Sequence, residues 1–248
     1  MRLPVIRGLI DRRILANFRV APAALVCLLP APFRPKLVQG FGVAGVCLIR
    51  LTKVRPRGFP AWMGMRSENA AHRIAVEWDE GGTRKEGVYV PRRDTSSRFN
   101  ACFGGRLFPG VQHHAAFDVK ETEKDFHIAL RSDDGQVRIT VDATVAEALP
   151  EGSVFSSVEE VSSFFERGSL GYSATREAAR FDGMELKSFN WKVTPLHVQR
   201  IESSFFSDEG KFPPGSAVFD NALLMRQIEH EWHSRPTPTC DCVTATSA

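Results

Sequence analysis

The sequence lacks the features that mark several large classes of protein. Its most apolar early stretch, residues 20–32, contains three prolines and is far shorter than the roughly 20 apolar residues that span a bilayer. Asp11 interrupts the short basic leader that a secretory signal would use. No Lys/Arg block alternates with aromatic residues, and the formal net charge is only +3. We therefore predict neither a membrane nor a nucleic-acid partner.

Cysteine is also scarce, and its five copies form no C-x-x-C pair. Three of them lie within apolar runs, where cysteine behaves as a small hydrophobic residue: Cys27, Cys47 and Cys102. This usage is typical of a reducing compartment, so we predict a cytoplasmic protein. The sequence contains no Ser or Cys nucleophile elbow, no P-loop and no dinucleotide fingerprint. Covalent and phosphoryl-transfer chemistry therefore have no local support.

What the sequence does contain is a series of alternating apolar and polar segments, which are typical of antiparallel strands. We predict a hairpin from the segments 73–79 and 85–90, which flank Gly81-Gly82, and a meander from 115–119, 126–131 and 137–145. Further strands are predicted over 36–53, 183–193 and 197–206. The length of 248 residues suits one domain, which we assign to residues 1–234. Residues 235–248 lack apolar periodicity and are predicted to be a disordered tail.

Helical signals are few. Ser157 and Glu160 form a capping box, and Gly168 is a natural stop, so a helix is predicted between them. Shorter sequence patterns predict two further helices, over residues 23–29 and 221–232. In the second of these, His230 and His233 would share a face near the helix end and complement the helix dipole. The segment 55–65 is predicted to be either a pocket lid or a packed surface loop.

The stretch from residue 91 to residue 114 has more polar chemistry than a connecting loop needs. It contains two glycine-containing turns, two adjacent histidines and four arginines, which are Arg92, Arg93, Arg98 and Arg106. A guanidinium can hold a carboxylate through two parallel hydrogen bonds. We interpret the stretch as the floor of a small-molecule pocket that is compatible with a small anionic ligand. The alternative is that Asp94 and nearby acids satisfy these arginines as structural ion pairs.

The two histidines are predicted to point in opposite directions. Alternation along a strand places His113 on the face of Ala115 and Phe117, and places His114 on the face of Asp118. We therefore expect His113 to point into the pocket. Because neighbouring strand residues diverge, the pair is a poor metal site, and we predict neither a metal nor a cofactor.

Several long motifs resemble a known group of sequences: R-R-I-L-A-N-F-R-V-A-P-A-A-L, S-E-N-A-A-H-R-I-A-V-E-W, P-R-R-D-T-S-S-R-F-N, G-G-R-L-F-P-G-V-Q-H-H-A and G-S-L-G-Y-S. Over residues 9–233 the chain resembles an uncharacterised bacterial family of the acetoacetate-decarboxylase-like superfamily. The resemblance implies a mainly antiparallel β (α+β) fold, arranged as a β-barrel or cone with a few covering helices. It also implies a pocket for a small keto acid.

The resemblance suggests roles for individual residues. Glu68 falls where the decarboxylase has its pocket glutamate, and Arg13 lies near its substrate-binding arginine. His113 and His114 fall where the decarboxylase has a pair of lysines, one of which forms a Schiff base. Imidazole cannot form that imine, and the sequence has no lysine between residues 85 and 120. The pocket is therefore expected to persist without the decarboxylase reaction.

Our first hypothesis is a small-molecule pocket protein, with Arg13, Arg93, Arg106 and His114 as ligand contacts. In this hypothesis Glu68 and His113 would transfer protons in a lyase-type or acid/base reaction on a small carboxylate or keto acid. The rival hypothesis is a non-catalytic binding or sensing module that uses the same pocket. A third is a structural homologue with no ligand. The sequence is compatible with a homo-oligomer under any of them.

Overall fold

Long strands dominate the computed structural model, which describes residues 4–103, 110–177 and 180–238. The strands are β1 (Ile6–Val20), β2 (Arg34–Pro35), β3 (Leu37–Val38), β4 (Phe41–Pro56), β5 (Met65–Glu80), β6 (Thr83–Thr95), β7 (Gln112–Glu121), β8 (Asp125–Ser132), β9 (Arg138–Val145), β10 (Leu170–Ala174), β11 (Phe181–Ser188), β12 (Thr194–Ser203) and β13 (Ala217–Arg235). The helices are α1 (Pro22–Val26), α2 (Arg98–Phe103) and α3 (Val158–Arg167), with a short 3-10 turn at Ala61–Met63. The predicted mainly antiparallel β fold with few helices is confirmed.

The strands form one mixed sheet in the order β11-β10-β6-β7-β8-β9-β12-β13-β1-β4-β5-β2, with β3 paired to β4. Two further pairings, β5 with β6 and β11 with β13, join strands that are distant in this order, so the hydrogen-bonded path returns on itself. β7 and β10 run parallel to β6, and the other pairs are antiparallel. The predicted hairpin is present as β5 and β6, and the predicted meander as β7, β8 and β9.

Helix α3 covers one face of the sheet. The Ser157 side chain accepts a hydrogen bond from the backbone N–H of Glu160, as the capping box predicted. Val161, Phe164 and Phe165 are buried and pack in one apolar cluster with residues of β1, β4 and β13. The helix therefore forms a lid of aromatic side chains over these strands. Within the described residues, no helix is long and apolar enough to cross a membrane.

The predicted carboxy-terminal helix over 221–232 is wrong, because this segment is the middle of β13. That strand pairs with β1 along nearly its whole length, from Trp232 opposite Ile6 to Ala217 opposite Val20. Partners on β11 and β12 complete its pairing on the other side. Such long-range pairing overrides the local helical pattern, and His230 and His233 consequently do not share a helical face. β13 runs through Arg235, and residues 239–248 of the predicted tail lie outside the described residues.

The core contains one histidine that has no polar partner. His72, in the middle of β5, is fully buried, and neither of its ring nitrogens has a hydrogen-bond partner among the described residues. Its ring packs against Phe205, with the ring centroids 4.5 Å apart. Burial lowers the pKa of His72 to about 3, and the positive charges of Arg92 and Lys211 act in the same direction. The ring is therefore neutral in the folded protein at neutral pH.

We predict that this histidine makes the protein sensitive to mild acid. The unfolded chain protonates His72 below pH about 6.5, whereas the folded protein does so only near pH 3. Stability should therefore fall as the pH decreases through this window, and His72 alone should cost about 2 kcal/mol between pH 7.5 and pH 5. In His72→Phe this loss should disappear from urea unfolding curves. Parallel pH profiles of the wild type and the variant would contradict the assignment.

Candidate functional site

A cavity of about 180 Å³ lies between α3 and the strands β1, β4, β5 and β6. This volume has room for several waters or one small organic molecule. Most of its wall is apolar. Strands supply the aliphatic side chains Ile10, Ile49, Leu51 and Val90, and the aromatic part of the wall consists of Phe165, which belongs to α3, together with Trp191 and Trp232. An apolar wall of this kind lowers the local dielectric constant and so strengthens any electrostatic interaction that a ligand makes inside the cavity.

Three arginines reach this apolar wall from three different strands. Arg13 comes from β1, Arg73 from β5 and Arg93 from β6. Among the described residues, none of the hydrogen-bond acceptors of their guanidinium groups is a carboxylate. Arg13 Nε donates to Cys47 Sγ at 3.2 Å, and Arg93 Nε donates to Ser173 Oγ at 2.9 Å.

Arg73 is the most deeply buried of the three, with 4% of its surface exposed. It donates through Nη2 to Oδ1 of Asn17, and its guanidinium lies over the ring of Phe165, 4.3 Å from the centroid. Its Nε and Nη1 are buried and have no partner among the described residues, and the same is true of Nη1 of Arg13. Three guanidinium nitrogens of the wall therefore lack an acceptor in the part of the chain that the structure describes.

Within the described wall, no carboxylate is free to pair with these cations, although Asp182, which does not line the cavity, favours the charge of Arg93. Among the described wall residues, Asp94 is the only carboxylate, and Arg92 binds it through Nη2 at 2.8 Å and through Nε. Burial lowers the pKa of Arg73 to about 9 and the pKa of Arg93 to about 10. Both groups still carry their charge at neutral pH, so the cavity is positive inside.

Such an arrangement is costly without a ligand and favourable with the right one. Burying a charge without a counter-ion costs several kcal/mol, even after the protein relaxes. A carboxylate in the cavity would accept charge-assisted hydrogen bonds from the free donors and recover much of that cost. Within the described chain, no three His, Cys, Asp or Glu side chains are grouped as metal ligands. The positive charge of the wall therefore suits an anion.

The structure brings only some of the predicted site residues together. Arg13 and Arg93 line the cavity, whereas Arg106 lies outside the described residues. Glu68 lies away from the cavity, because side chains alternate along β5 and those of Ser67 and Asn69 face the wall. Its carboxylate instead receives hydrogen bonds from Arg12 and Arg50, both at 2.5 Å.

The two predicted histidines also lie away from the cavity. β7 begins at Gln112, which lines the wall and pairs with Arg93, so the next residue falls on the other face. His113 Nδ1 is 3.2 Å from Asp134, and His114 Nδ1 is 2.7 Å from Asp133. The histidines diverge as alternation predicted. The expectation that His113 points into the pocket is corrected, because its strand face carries Ala115 into a different apolar cluster.

Sequence reasoning missed two residues that define the site. Arg73 shares a strand face with Ala71 and Ala75, so a long charged side chain stands between two small apolar ones on that face. That pattern could have revealed it. Cys47 gave no such signal, because it lies in an apolar run and was interpreted as a small hydrophobic residue.

Comparison with known proteins places the chain in a family. The model of DUF2071, described as an uncharacterized conserved protein, matches residues 10–221. The chain belongs to the DUF2071 family. This confirms the resemblance to an uncharacterised group with acetoacetate-decarboxylase-like structure. No curated protein matches the DUF2071 chain.

Solved structures similar to this DUF2071 chain share the acetoacetate decarboxylase fold. Acetoacetate decarboxylase from Legionella pneumophila has a TM-score of 0.58 at 12% identity, covering 96% of this chain and 88% of that one. An acetoacetate decarboxylase-like enzyme from Sphingomonas wittichii RW1 gives the same TM-score and identity, with coverages of 96% and 93%. The enduracididine biosynthesis enzyme MppR, complexed with pyruvate, has a TM-score of 0.57 at 12% identity, with coverages of 94% and 89%. At such identities the likeness shows the fold alone.

Proposed function

We propose that the cavity binds a small organic carboxylate and holds it through Arg13, Arg73 and Arg93. The observation that carries this proposal is that three guanidinium groups, that of Arg73 buried and those of Arg13 and Arg93 partly buried, line one cavity in which no described carboxylate is free to pair with them. A purely structural role would leave their charges uncompensated, which is unfavourable. The structural-homologue hypothesis is weaker for the same reason: Arg92 pairs with acids, but its neighbour Arg93 does not.

The size and chemistry of the wall favour a 2-oxo acid or a similarly small anion. The cavity is small and mostly apolar, so the ligand has one charged end and a short apolar or carbonyl-bearing end. MppR, which has the same fold, has been observed with pyruvate. We therefore take pyruvate as the first probe.

Binding in this cavity does not use an imine. No lysine lines the part of the wall that the structure describes. Proton transfer by Glu68 or His113 gains no support either, since both side chains lie outside the cavity and are held by charged neighbours. We therefore propose a carboxylate-binding site rather than a lysine-dependent or Glu/His-dependent enzyme.

The direct test is ligand-induced thermal stabilisation. At a hundredfold excess over Kd, pyruvate or lactate should stabilise the protein by about 2.7 kcal/mol, which corresponds to a rise in Tm of roughly 5–11 °C. A neutral amide of similar size should give no shift. Arg93→Gln should lose most of the shift, because it removes a charge from the wall.

The variant Arg131→Gln is the matched control. Arg131 is an exposed strand arginine that does not line the cavity, so the variant removes one positive charge but should keep the carboxylate-dependent shift. Absence of a shift with every small carboxylate in the wild type would refute the proposed function.

We also predict that no Schiff base forms. Incubation with pyruvate or acetoacetate and sodium borohydride should leave the intact mass unchanged, and acetoacetate should release no carbon dioxide above background. An acetoacetate decarboxylase, treated in parallel, provides the positive control. A mass increase that maps to any lysine would overturn this prediction.

A further inference from the structure

We infer that Cys47 is a nucleophile of this cavity, directed at carboxylates that carry an electrophilic carbon. This inference deepens the proposed carboxylate-binding function and rests on it. The first observation is the position of the thiol. Cys47 lines the cavity from β4, is a free cysteine, and accepts a hydrogen bond from Arg13 Nε at 3.2 Å.

The surrounding guanidinium groups favour the approach of an anionic electrophile to the sulfur. Strand register places Cys47 opposite Ala71, which in turn is opposite Arg93, so the thiol and the Arg93 guanidinium lie on one face, two strands apart. The positive field of these groups attracts a carboxylate and would stabilise the oxyanion that forms when sulfur adds to a carbonyl carbon. The only acid in the described wall, Asp94, is held by Arg92 and does not offset this field.

A second, independent observation indicates that a ligand comes to this thiol. Arg73 is almost completely buried, and two of its N–H donors are without a partner in the cavity that Cys47 lines. A carboxylate bound by Arg73 in so small a space would bring its neighbouring carbon into the same cavity as the sulfur. One substrate molecule would therefore contact both the guanidinium of Arg73 and the sulfur of Cys47.

The chemistry fits a carbonyl next to the carboxylate, as in a 2-oxo acid or an aldehyde acid. Sulfur adds to the carbonyl carbon, a S–C bond forms, and the π pair of the C=O bond moves to oxygen. The proton lost by the thiol completes the hydroxyl group of a hemithioketal or hemithioacetal. The wall arginines stabilise the oxyanion during the addition. The step is reversible and needs neither an oxidant nor a reductant.

Two alkylating reagents that differ in charge test the inference. With each, sulfur displaces iodide, which leaves with the bonding pair, while the thiol proton goes to solvent. Iodoacetate carries the carboxylate that the arginines bind, whereas iodoacetamide is neutral. Peptide mass spectrometry on the folded protein gives the rate at each cysteine. Cys27 and Cys102, both exposed, provide internal references.

We expect the ratio of the iodoacetate rate to the iodoacetamide rate to be at least tenfold higher at Cys47 than at either reference. Pyruvate should protect Cys47 alone, and Arg13→Gln should bring its ratio towards that of the references. Equal ratios at all three cysteines, or modification of Cys47 only after unfolding, would overturn the inference.

Carbon-13 NMR with pyruvate labelled at its carbonyl carbon tests the addition step. A protein-bound signal should move from the carbonyl region to the tetrahedral region and should vanish in Cys47→Ser. Absence of a tetrahedral signal in the wild type would contradict the addition.

Lactate, which lacks the carbonyl, separates the two proposals in the wild type. If lactate stabilises the protein but Cys47 shows no preference for iodoacetate, carboxylate binding is supported and the role of Cys47 as a nucleophile is refuted. If no carboxylate stabilises the protein, the proposed function itself is refuted.

Discussion

Arg73→Met is expected to stabilise the unliganded protein and at the same time to abolish carboxylate binding. Arg73 is buried without a carboxylate partner, and burial already lowers its pKa to about 9. Replacing such a charge with an apolar side chain of similar length removes a desolvation cost, and we expect a gain of about 1–4 kcal/mol. The same change removes two charge-assisted hydrogen bonds to the ligand, worth about 1.5–3 kcal/mol each, so affinity should fall a hundredfold or more.

Urea unfolding and calorimetric titration with pyruvate measure the two effects separately. Arg131→Met is a suitable control, because Arg131 is an exposed strand arginine and its loss should change neither quantity by much. A structural role for Arg73 predicts the opposite pattern. If Arg73→Met unfolds more easily and binds pyruvate as the wild type does, the charge is part of the fold and not of the site.

Arg12→Ala is expected to destabilise the protein by about 3–5 kcal/mol without altering ligand affinity. Arg12 is 1% exposed and holds two carboxylates, Glu68 at 2.5 Å and Glu121 at 3.0 Å. Removing it takes the fully buried cation out of this network, although Arg50 still contacts both acids. Breaking a buried ion pair is among the most costly single changes. Glu68 accordingly has a structural role in our account, although the resemblance to the decarboxylase suggested a catalytic one.

Arg7→Ala on the same strand provides the control for this change. Arg7 pairs with Glu229 at 3.0 Å, but both side chains are exposed, so its loss should cost no more than about 1 kcal/mol. Chemical unfolding of the two variants, with and without pyruvate, makes the comparison. Equal destabilisation of the two variants, or loss of the pyruvate response in Arg12→Ala, would contradict the assignment of Arg12 and Glu68 to the fold.

Most of the regular structure could be predicted where local patterns and long-range pairing agree. The β5–β6 hairpin has a Gly-Gly turn and clear alternation, and α3 has its Ser157 cap, so each carries its own signal. β13 does not, because its residues are apolar on both faces and can be interpreted as a helix. Only its partners β1, β11 and β12, distant along the chain, determine that it is a strand.

The site was harder to predict because the sequence does not reveal which face of a strand meets the cavity. On β5 both faces are buried: Ile74 and Trp78 pack in one apolar cluster, while Ala71 and Arg73 face the cavity. Alternation separates these two sets but gives no preference between them. The position of α3 determines which face meets the cavity, so the sequence placed Glu68 and His113 on a face that the cavity does not reach, whereas Arg93 does line it.

A crystal structure of the protein grown with pyruvate tests the central claim most directly. Our account predicts pyruvate in the cavity, with its carboxylate oxygens about 2.7–3.2 Å from Nε or Nη1 of Arg73 and from Nη1 of Arg13, and with no bond to any lysine. Pyruvate bound only elsewhere, or an acidic side chain of the protein paired with Arg73 inside the cavity, would contradict it.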